Sequence, residues 1–458
     1  MSSAVSLLIV SATLAFGAVY SWGYVPLFAA AACIGLTGVV RQRGVLPDAP
    51  RTLSAALLLV ALAVGGQLVP VPRTTLDYLG PHAADLLSRY SLTFAGSTGA
   101  HPLSISPTAT ALALLGFAGL GVYLTGLPGL LSRRDLRALP RNLMLFAVPL
   151  ALVGIFGSEH NNGLVYGFWQ PQDGTNGNGF GPFINRNHFA GWMLMATALS
   201  LGYLIGRVEG AARDLKPGPH HRLVWFSSPE ANQIALTAAA ILVMAVSLVW
   251  TMSRSGITSF MCVAACFAWL IVRRRGVGAG RRAVGLAGVG IVLLTAVTWR
   301  GVDELLKWFG DTGDLISRFA AWQDGWRVVR DFPIFGTGLN TYWIAMLYYQ
   351  TSLPDYLLAQ AHNDYLQLLV EGGLLVTIAA AVAVLCLVVV IRRNLEAARH
   401  ESRGYWIRAG AAVGLIGIAV QETVEFSLQM PANAFLFCTL AAIAMAPVEN
   451  RRLPREPQ

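Results

Sequence analysis

The chain has 458 residues, 55% of them hydrophobic and 12% charged. A soluble domain carries about 25% charged residues, so this balance excludes an ordinary soluble protein and points to a membrane. The net charge of +9 would suit nucleic acid, but the basic residues cluster in alternate loops, and no nucleic-acid partner is expected.

Apolar runs near the spanning length of roughly 20 residues fall at 4–21, 23–40, 52–70, 108–131, 142–157, 188–206, 234–251, 256–272, 284–299, 373–391, 407–424 and 431–447. They predict an all-α integral membrane protein of about 12 transmembrane helices. The opening run MSSAVSLLIVSATLAFGAVY lacks a basic leader and an A-x-A site, and reads as a membrane helix rather than a cleaved signal. Basic clusters at 41–51, 133–141, 207–222, 273–282, 392–408 and 451–455 all fall on one side of such a bundle, while acids favour the other. Cytoplasmic loops are enriched in Lys and Arg, which places both termini in the cytoplasm. The five cysteines lie in apolar runs and make no disulfide framework; Cys262 and Cys266 share a helix face, as small core thiols rather than metal ligands.

The expected organisation is nine spans in 1–299, a large outer loop in 300–372, and three spans with a cytoplasmic tail in 373–458. Two other outer loops precede the large one. Residues 71–107 are proline-rich with one short helix around 82–92, and 158–187 are too rich in Gly and Asn for a regular helix. In the large loop, LISRFAAWQDGWRVVRDF reads as an amphipathic helix with Arg318, Trp322, Trp326 and Val329 on one face. Pro333 ends it, and Gly336 and Gly338 turn the chain into a second helical run from Leu339 to Tyr349, rich in the aromatics that suit a bilayer interface. Pro354 and Asp355 then open a helix expected to run through His362 towards the membrane, with Gly372 and Gly373 at its entry.

Ionisable groups at a membrane edge cost free energy and mark functional candidates. His362 heads a stripe with Tyr365, Leu366 and Leu369 in HNDYLQLLVEGG. Two readings fit it: a buried histidine bonded to backbone, or a general base, since imidazole titrates near neutral pH. Arg254 in TMSRSG, Arg186 in FINRNHFAG beside His188, and Arg318 either snorkel to headgroups or bind an anion. Glu422 and Glu425, three apart at the outer end of a span, either orient a histidine or pair an arginine. No Walker loop, HExxH, CxxC or outer cluster of carboxylates is present, which favours a reaction without metal or cofactor.

The motifs FGPFINRNHFAGWM, TMSRSG, RFAAWQDGWRVVRDFPIFGTGLNTY, AHNDYLQLLVEGG and EFSLQMPANA, in that order across about 150–445, resemble those of the O-antigen ligase/O-antigen polymerase superfamily. FGAVYSWGYVPL and QLVPVP are also similar to its exopolysaccharide-polymerase branch. The resemblance implies a C-type-like membrane glycosyltransferase of the bacterial inner membrane. Such enzymes take a glycan from undecaprenyl diphosphate at the periplasmic face. A ligase passes it to lipid A–core, a polymerase to a growing lipid-linked glycan. It further implies metal-independent, inverting catalysis, with His362 as base and Arg254, Arg318 and Arg186 on the donor diphosphate. Glu425, Glu422, His188, Asn363 and Tyr365 are the candidates for orienting groups or binding the acceptor. The alternative reading is a transporter or flippase of lipid-linked oligosaccharide, in which the arginines bind and no bond is made.

Overall fold

The computed structural model describes residues 1–41, 48–160, 162–171, 179–214, 227–274, 313–352 and 357–448, with isolated positions between 218 and 290. The helices are α1 (Ser2–Leu14), α2 (Ser21–Arg41), α3 (Asp48–Gly66), α4 (Arg73–Leu79), α5 (Pro81–Tyr90), α6 (Leu92–Ala95), α7 (Pro107–Gly126), α8 (Arg133–His160), α9 (Arg186–Asp214) and α10 (Pro229–Trp250). They continue with α11 (Arg254–Arg273), α12 (Gly313–Asp331), α13 (Tyr342–Tyr349), α14 (Asp364–Ala397), α15 (Ser402–Gln421) and α16 (Pro431–Met445). A two-residue ribbon pairs β1 (Pro70–Val71) with β2 (His101–Pro102), antiparallel. Among the described residues, seven helices are long and apolar enough to cross a membrane: α2, α7 with its 3-10 extension, α8, α9, α10, α11 and α14. Three shorter apolar helices fall in α1, α3 and α16. The expected run at 284–299 lies almost wholly outside the described residues, as do Pro354 and Asp355.

At the centre α15 lies against α9. Gly202 and Gly410 let the two backbones meet, since a Cβ on Gly202 would stand 2.3 Å from the Trp406 carbonyl and 2.7 Å from the Gly410 Cα. Small residues at such contacts are how helices associate where burial in lipid gives no hydrophobic gain. The helices alternate in direction, so two ends can be told apart by their bonds. At one end Ser255 and Asn187 meet Glu425, and Ser104 meets Gln67. At the other, Ser2 N–H donates to Asp135 (2.8 Å), and Glu209 pairs with Arg274 (3.1 Å).

A cap covers the first end. Its small core joins Ala83, Leu86 and Ile105 to Val328, Phe332, Tyr342, Met346, Leu366 and Val370. The two outer segments expected as separate loops therefore share one core. Residues 71–107 hold three short helices and the ribbon instead of a single helix around 82–92. The face of α12 is also shifted from the expected one. Ala321, Asp324, Gly325 and Val328 are buried, whereas Trp326 is 51% exposed. Trp322 stays on the packed side by donating its indole N–H to the Ala361 carbonyl (2.8 Å).

The connection between α12 and α13 is pinned from below by Glu371, whose carboxylate accepts the N–H groups of Asn340 (2.7 Å) and Tyr342 (3.0 Å). Asn340 is in the left-handed region (φ 63°), so the second helical run starts at Tyr342 instead of Leu339. Gly336 (φ 67°) and Gly373 (φ 56°) cross so closely that a Cβ on Gly336 would fall 2.3 Å from the Glu371 carbonyl. Only glycine fits both the conformation and the approach. Gly373 also kinks α14, separating the cap turn of that helix from its long apolar part.

Candidate active site

Three helices begin at the site, and local sequence explains each start. Before α9, the Asn185 side chain accepts the Asn187 N–H (2.8 Å). Before α11, Met252 is left-handed (φ 52°) and the Ser253 hydroxyl accepts the Gly256 N–H (3.2 Å). Before α14, His362 is left-handed (φ 48°) and Asn363 accepts the Leu366 N–H (3.0 Å). Ser and Asn are preferred caps because their oxygens satisfy donors that a helix start leaves open. These caps put Arg186, Arg254 and Asp364 at the first positions of their helices, where the macrodipole is positive.

The same geometry corrects the expectation for His362. It is not on a helix face with Tyr365, Leu366 and Leu369. It occupies the turn before Asn363, in a backbone region that non-glycine residues seldom adopt, though histidine does so more readily than most. Glu422 and Glu425 are likewise not on a helix: α15 ends at Gln421, and both lie in the connection to α16.

Glu425 is the hub. Its side chain is 1% exposed. Oε1 accepts from Asn187 Nδ2 (2.7 Å) and Arg318 (2.8 Å), with the Ser255 hydroxyl at 3.4 Å. Oε2 faces His362 Nδ1 across 3.8 Å, an ion-pair separation longer than a direct hydrogen bond. Arg318 also donates to the Val424 carbonyl. Burial alone would raise the Glu425 carboxyl; facing His362 and Arg318 outweigh it and hold the group below the usual carboxylate value, so it is ionised. The His362 side chain is 34% exposed while its Nδ1 is buried, so the ring shows part of its edge to the outside.

Phe426 fits between the two histidines, edge-on to His188 (4.7 Å between centroids) and to His362 (4.9 Å). His188 is buried, and its carbonyl accepts from Asn433 (3.0 Å). Glu422 has a different neighbour. Its carbonyl accepts the Asp364 N–H (3.1 Å). Burial first, and then the adjacent Asp364 carboxyl, push the Glu422 carboxyl well above the carboxylate range, so it carries a proton at neutral pH. Gln429 donates to Asp364 (2.6 Å) and ties this pair to the start of α16.

The structure thus gathers His362 and Arg318 around the Glu425 carboxylate, and His362 and His188 around the Phe426 ring. Arg186 and Arg254 are half-buried and adjoin, in the chain, the two residues Asn187 and Ser255 that reach Glu425. Of the two glutamates, only Glu425 pairs an arginine and faces a histidine. Asn363 is a helix cap, and the Tyr365 hydroxyl donates to the Ala419 carbonyl (2.8 Å). The roles of Asn187, Ser255 and Phe426 were missed, because nothing in their local sequence marks them as partners of residues distant in the chain.

No curated protein matches the chain. Residues 239–381 match the family model described as O-antigen ligase, a stretch that contains Arg254, Arg318 and His362. With its apolar helices, this match supports the resemblance of the chain, an integral membrane protein, to the O-antigen ligase/O-antigen polymerase superfamily.

Proposed function

We propose that this chain transfers a glycan from undecaprenyl diphosphate to an acceptor sugar hydroxyl at the periplasmic face of the bacterial inner membrane, by inverting displacement without a metal. The observation that carries the reading is Glu425, a buried carboxylate paired with Arg318 and opposite His362 Nδ1. When the ring closes on that carboxylate from 3.8 Å, Nδ1–H becomes the donor, which leaves Nε2 to take a proton. The acceptor hydroxyl gives its proton to Nε2 as its oxygen bonds to the anomeric carbon. The bond from that carbon to the diphosphate oxygen breaks, and undecaprenyl diphosphate leaves with the electron pair. Glu425 stabilises the imidazolium formed, and Arg318 keeps Glu425 in place.

Negative charge grows on the diphosphate as the bond breaks. Cations fixed in a site of low dielectric stabilise that charge more in the transition state than before it. Arg186 and Arg254, at the positive ends of α9 and α11, supply such cations, and helix N-termini are natural anion sites. The acceptor is lipid A–core for a ligase or a lipid-linked glycan for a polymerase.

Purified protein in lipid, given an undecaprenyl-diphosphate glycan and each acceptor in turn, should form a new glycosidic linkage. His362→Ala should lose the product and keep donor binding. Normal turnover in that variant rules out the base assignment, and translocation of donor without any transfer would favour a transporter.

A further inference from the structure

At the end of the bundle remote from Glu425, a cavity of about 420 Å³ opens between the starts of α8, α10 and α15 and the second half of α9. Arg137, Arg207 and Arg403, from three different helices, line it, with Glu230 as the single acid. Glu230 pairs with Arg403 (3.0 Å). Arg207 donates to Gln233 (2.5 Å) and to the Tyr203 hydroxyl (3.2 Å), both uncharged. Arg137 is exposed and makes no hydrogen bond or ion pair with the described residues. A smaller cavity beside it shares Arg137 and adds Arg133, Arg408 and Glu401. Arg408 is held by the carbonyls of Gly404, Ala446 and Pro447 (3.0–3.1 Å), with the Glu401 carboxyl as a nearby counter-charge.

A nearby pair shows what this end does with an arginine that has a structural role. Arg274 binds Glu209 through two nitrogens (3.1 and 3.2 Å) and is buried. The arginines of the cavity are not matched in this way. Basic loops alone would satisfy a rule of membrane orientation, but such a rule does not require three guanidinium groups to converge on one hollow. Guanidinium groups stay charged and fork onto phosphate oxygens. One turn beyond Gln233 on α10, Leu236 is 62% exposed, so an apolar surface begins directly beside the charged rim.

We infer that this cavity binds the phosphate of an anionic phospholipid headgroup, with an acyl chain lying along the α10 surface. Basic pockets between membrane helices are the setting for such headgroups. The inference is independent of the transfer reaction and of the site around Glu425.

Full-length protein, delipidated in detergent, is titrated with phosphatidylglycerol, phosphatidylcholine or inorganic phosphate, and bound lipid is counted by native mass spectrometry. Phosphatidylglycerol should bind in preference to phosphatidylcholine. Arg137→Gln, which disturbs no bond among the described residues, should weaken it about fivefold, the scale of one basic residue near an anionic lipid. Glu230→Gln should strengthen it. Equal binding of both lipids, or full affinity in Arg137→Gln combined with Arg207→Gln, would overturn the inference. So would complete displacement of lipid by equimolar inorganic phosphate, which would mark a site for free anion.

Discussion

Glu425 and Arg318 form a buried ion pair, 2.8 Å apart, with the two side chains 1% and 10% exposed. The pair links the connection between α15 and α16 to the first helix of the cap's later segment, and it fixes the carboxylate that faces His362. Removing one partner of such a pair strands the other charge and costs about 3–5 kcal/mol. Glu425→Ala should therefore lower the melting temperature sharply, whereas Arg318→Met combined with Glu425→Gln should recover much of it. Activity should stay lost in the double variant, because the histidine still lacks its carboxylate. Thermal unfolding measured beside product formation separates the two effects, and recovery of turnover in the double variant would remove Glu425 from the mechanism.

His362→Gln should reduce transfer by about 10²–10⁴-fold, the usual contribution of a general base. The amide keeps a polar group in the left-handed turn, so the fold should persist. Single-turnover kinetics with bound donor would show the loss in the chemical step; a loss confined to donor affinity would contradict the assignment.

Arg254→Lys and Arg186→Lys keep the charge and remove the fork. Each should lower the rate of transfer more than it lowers donor binding, since the diphosphate gains charge only as the bond breaks. Arg318→Lys should behave differently and lower stability as well, because it loses the contact to Glu425 or that to the Val424 carbonyl. Comparing kcat and KM for the three lysine variants tests whether Arg318 belongs with the positioning groups or with the diphosphate cations.

The order of the spans was readable because length and apolarity are local properties: the run at 373–391 lies within α14, and that at 234–251 lies within α10 but for its last residue. The cap around His362 was less readable. Asn363 followed by Asp364 before an apolar run is a helix-start signal, yet continuing the helix back to Pro354 carried it over that cap. The packed face of α12 was misplaced because Trp322 and Trp326 look equivalent by spacing, and only the Ala361 carbonyl, brought up by the chain before α14, selects Trp322. The hub at Glu425 depends on Asn187, Ser255 and Arg318, separated from it by 238, 170 and 107 positions. No window along the chain contains such a relationship.

Asp324 holds the segment after α13 against α12. It is 1% exposed and accepts the N–H groups of Thr351 (3.1 Å) and Ser352 (3.0 Å). Burial would raise this carboxyl; the bonds from Ser352 and Thr351 outweigh it and hold it below its ordinary value. Its stabilisation is thus present above the ordinary aspartate pKa and is lost as pH falls through the lower folded value. Asp324→Asn should cost about 2 kcal/mol, as for a lost charged acceptor, and should speed hydrogen exchange at the Thr351 and Ser352 amides. Unchanged exchange there would mean that the segment is held by something else.

Glu422 has the opposite sign. Its carboxyl keeps a proton in the folded protein at pH values where the unfolded chain has released it. Stability from this group is therefore complete below the ordinary glutamate pKa of about 4.3 and declines as pH rises towards the higher folded value. The slope is about 1.4 kcal/mol per pH unit for one proton. Glu422→Gln mimics the protonated form at every pH, so it should flatten the decline in melting temperature between pH 5 and 9 and leave the protein more stable than wild type at the alkaline end. Glu425→Gln should produce no such alkaline gain, because Glu425 is ionised in the folded state throughout that range. A wild-type curve that is already flat, or a Glu422→Gln variant that declines in parallel with it, would show that Glu422 is ionised in the folded protein. In that case burial and the adjacent Asp364 carboxyl would not suffice to hold the proton on Glu422.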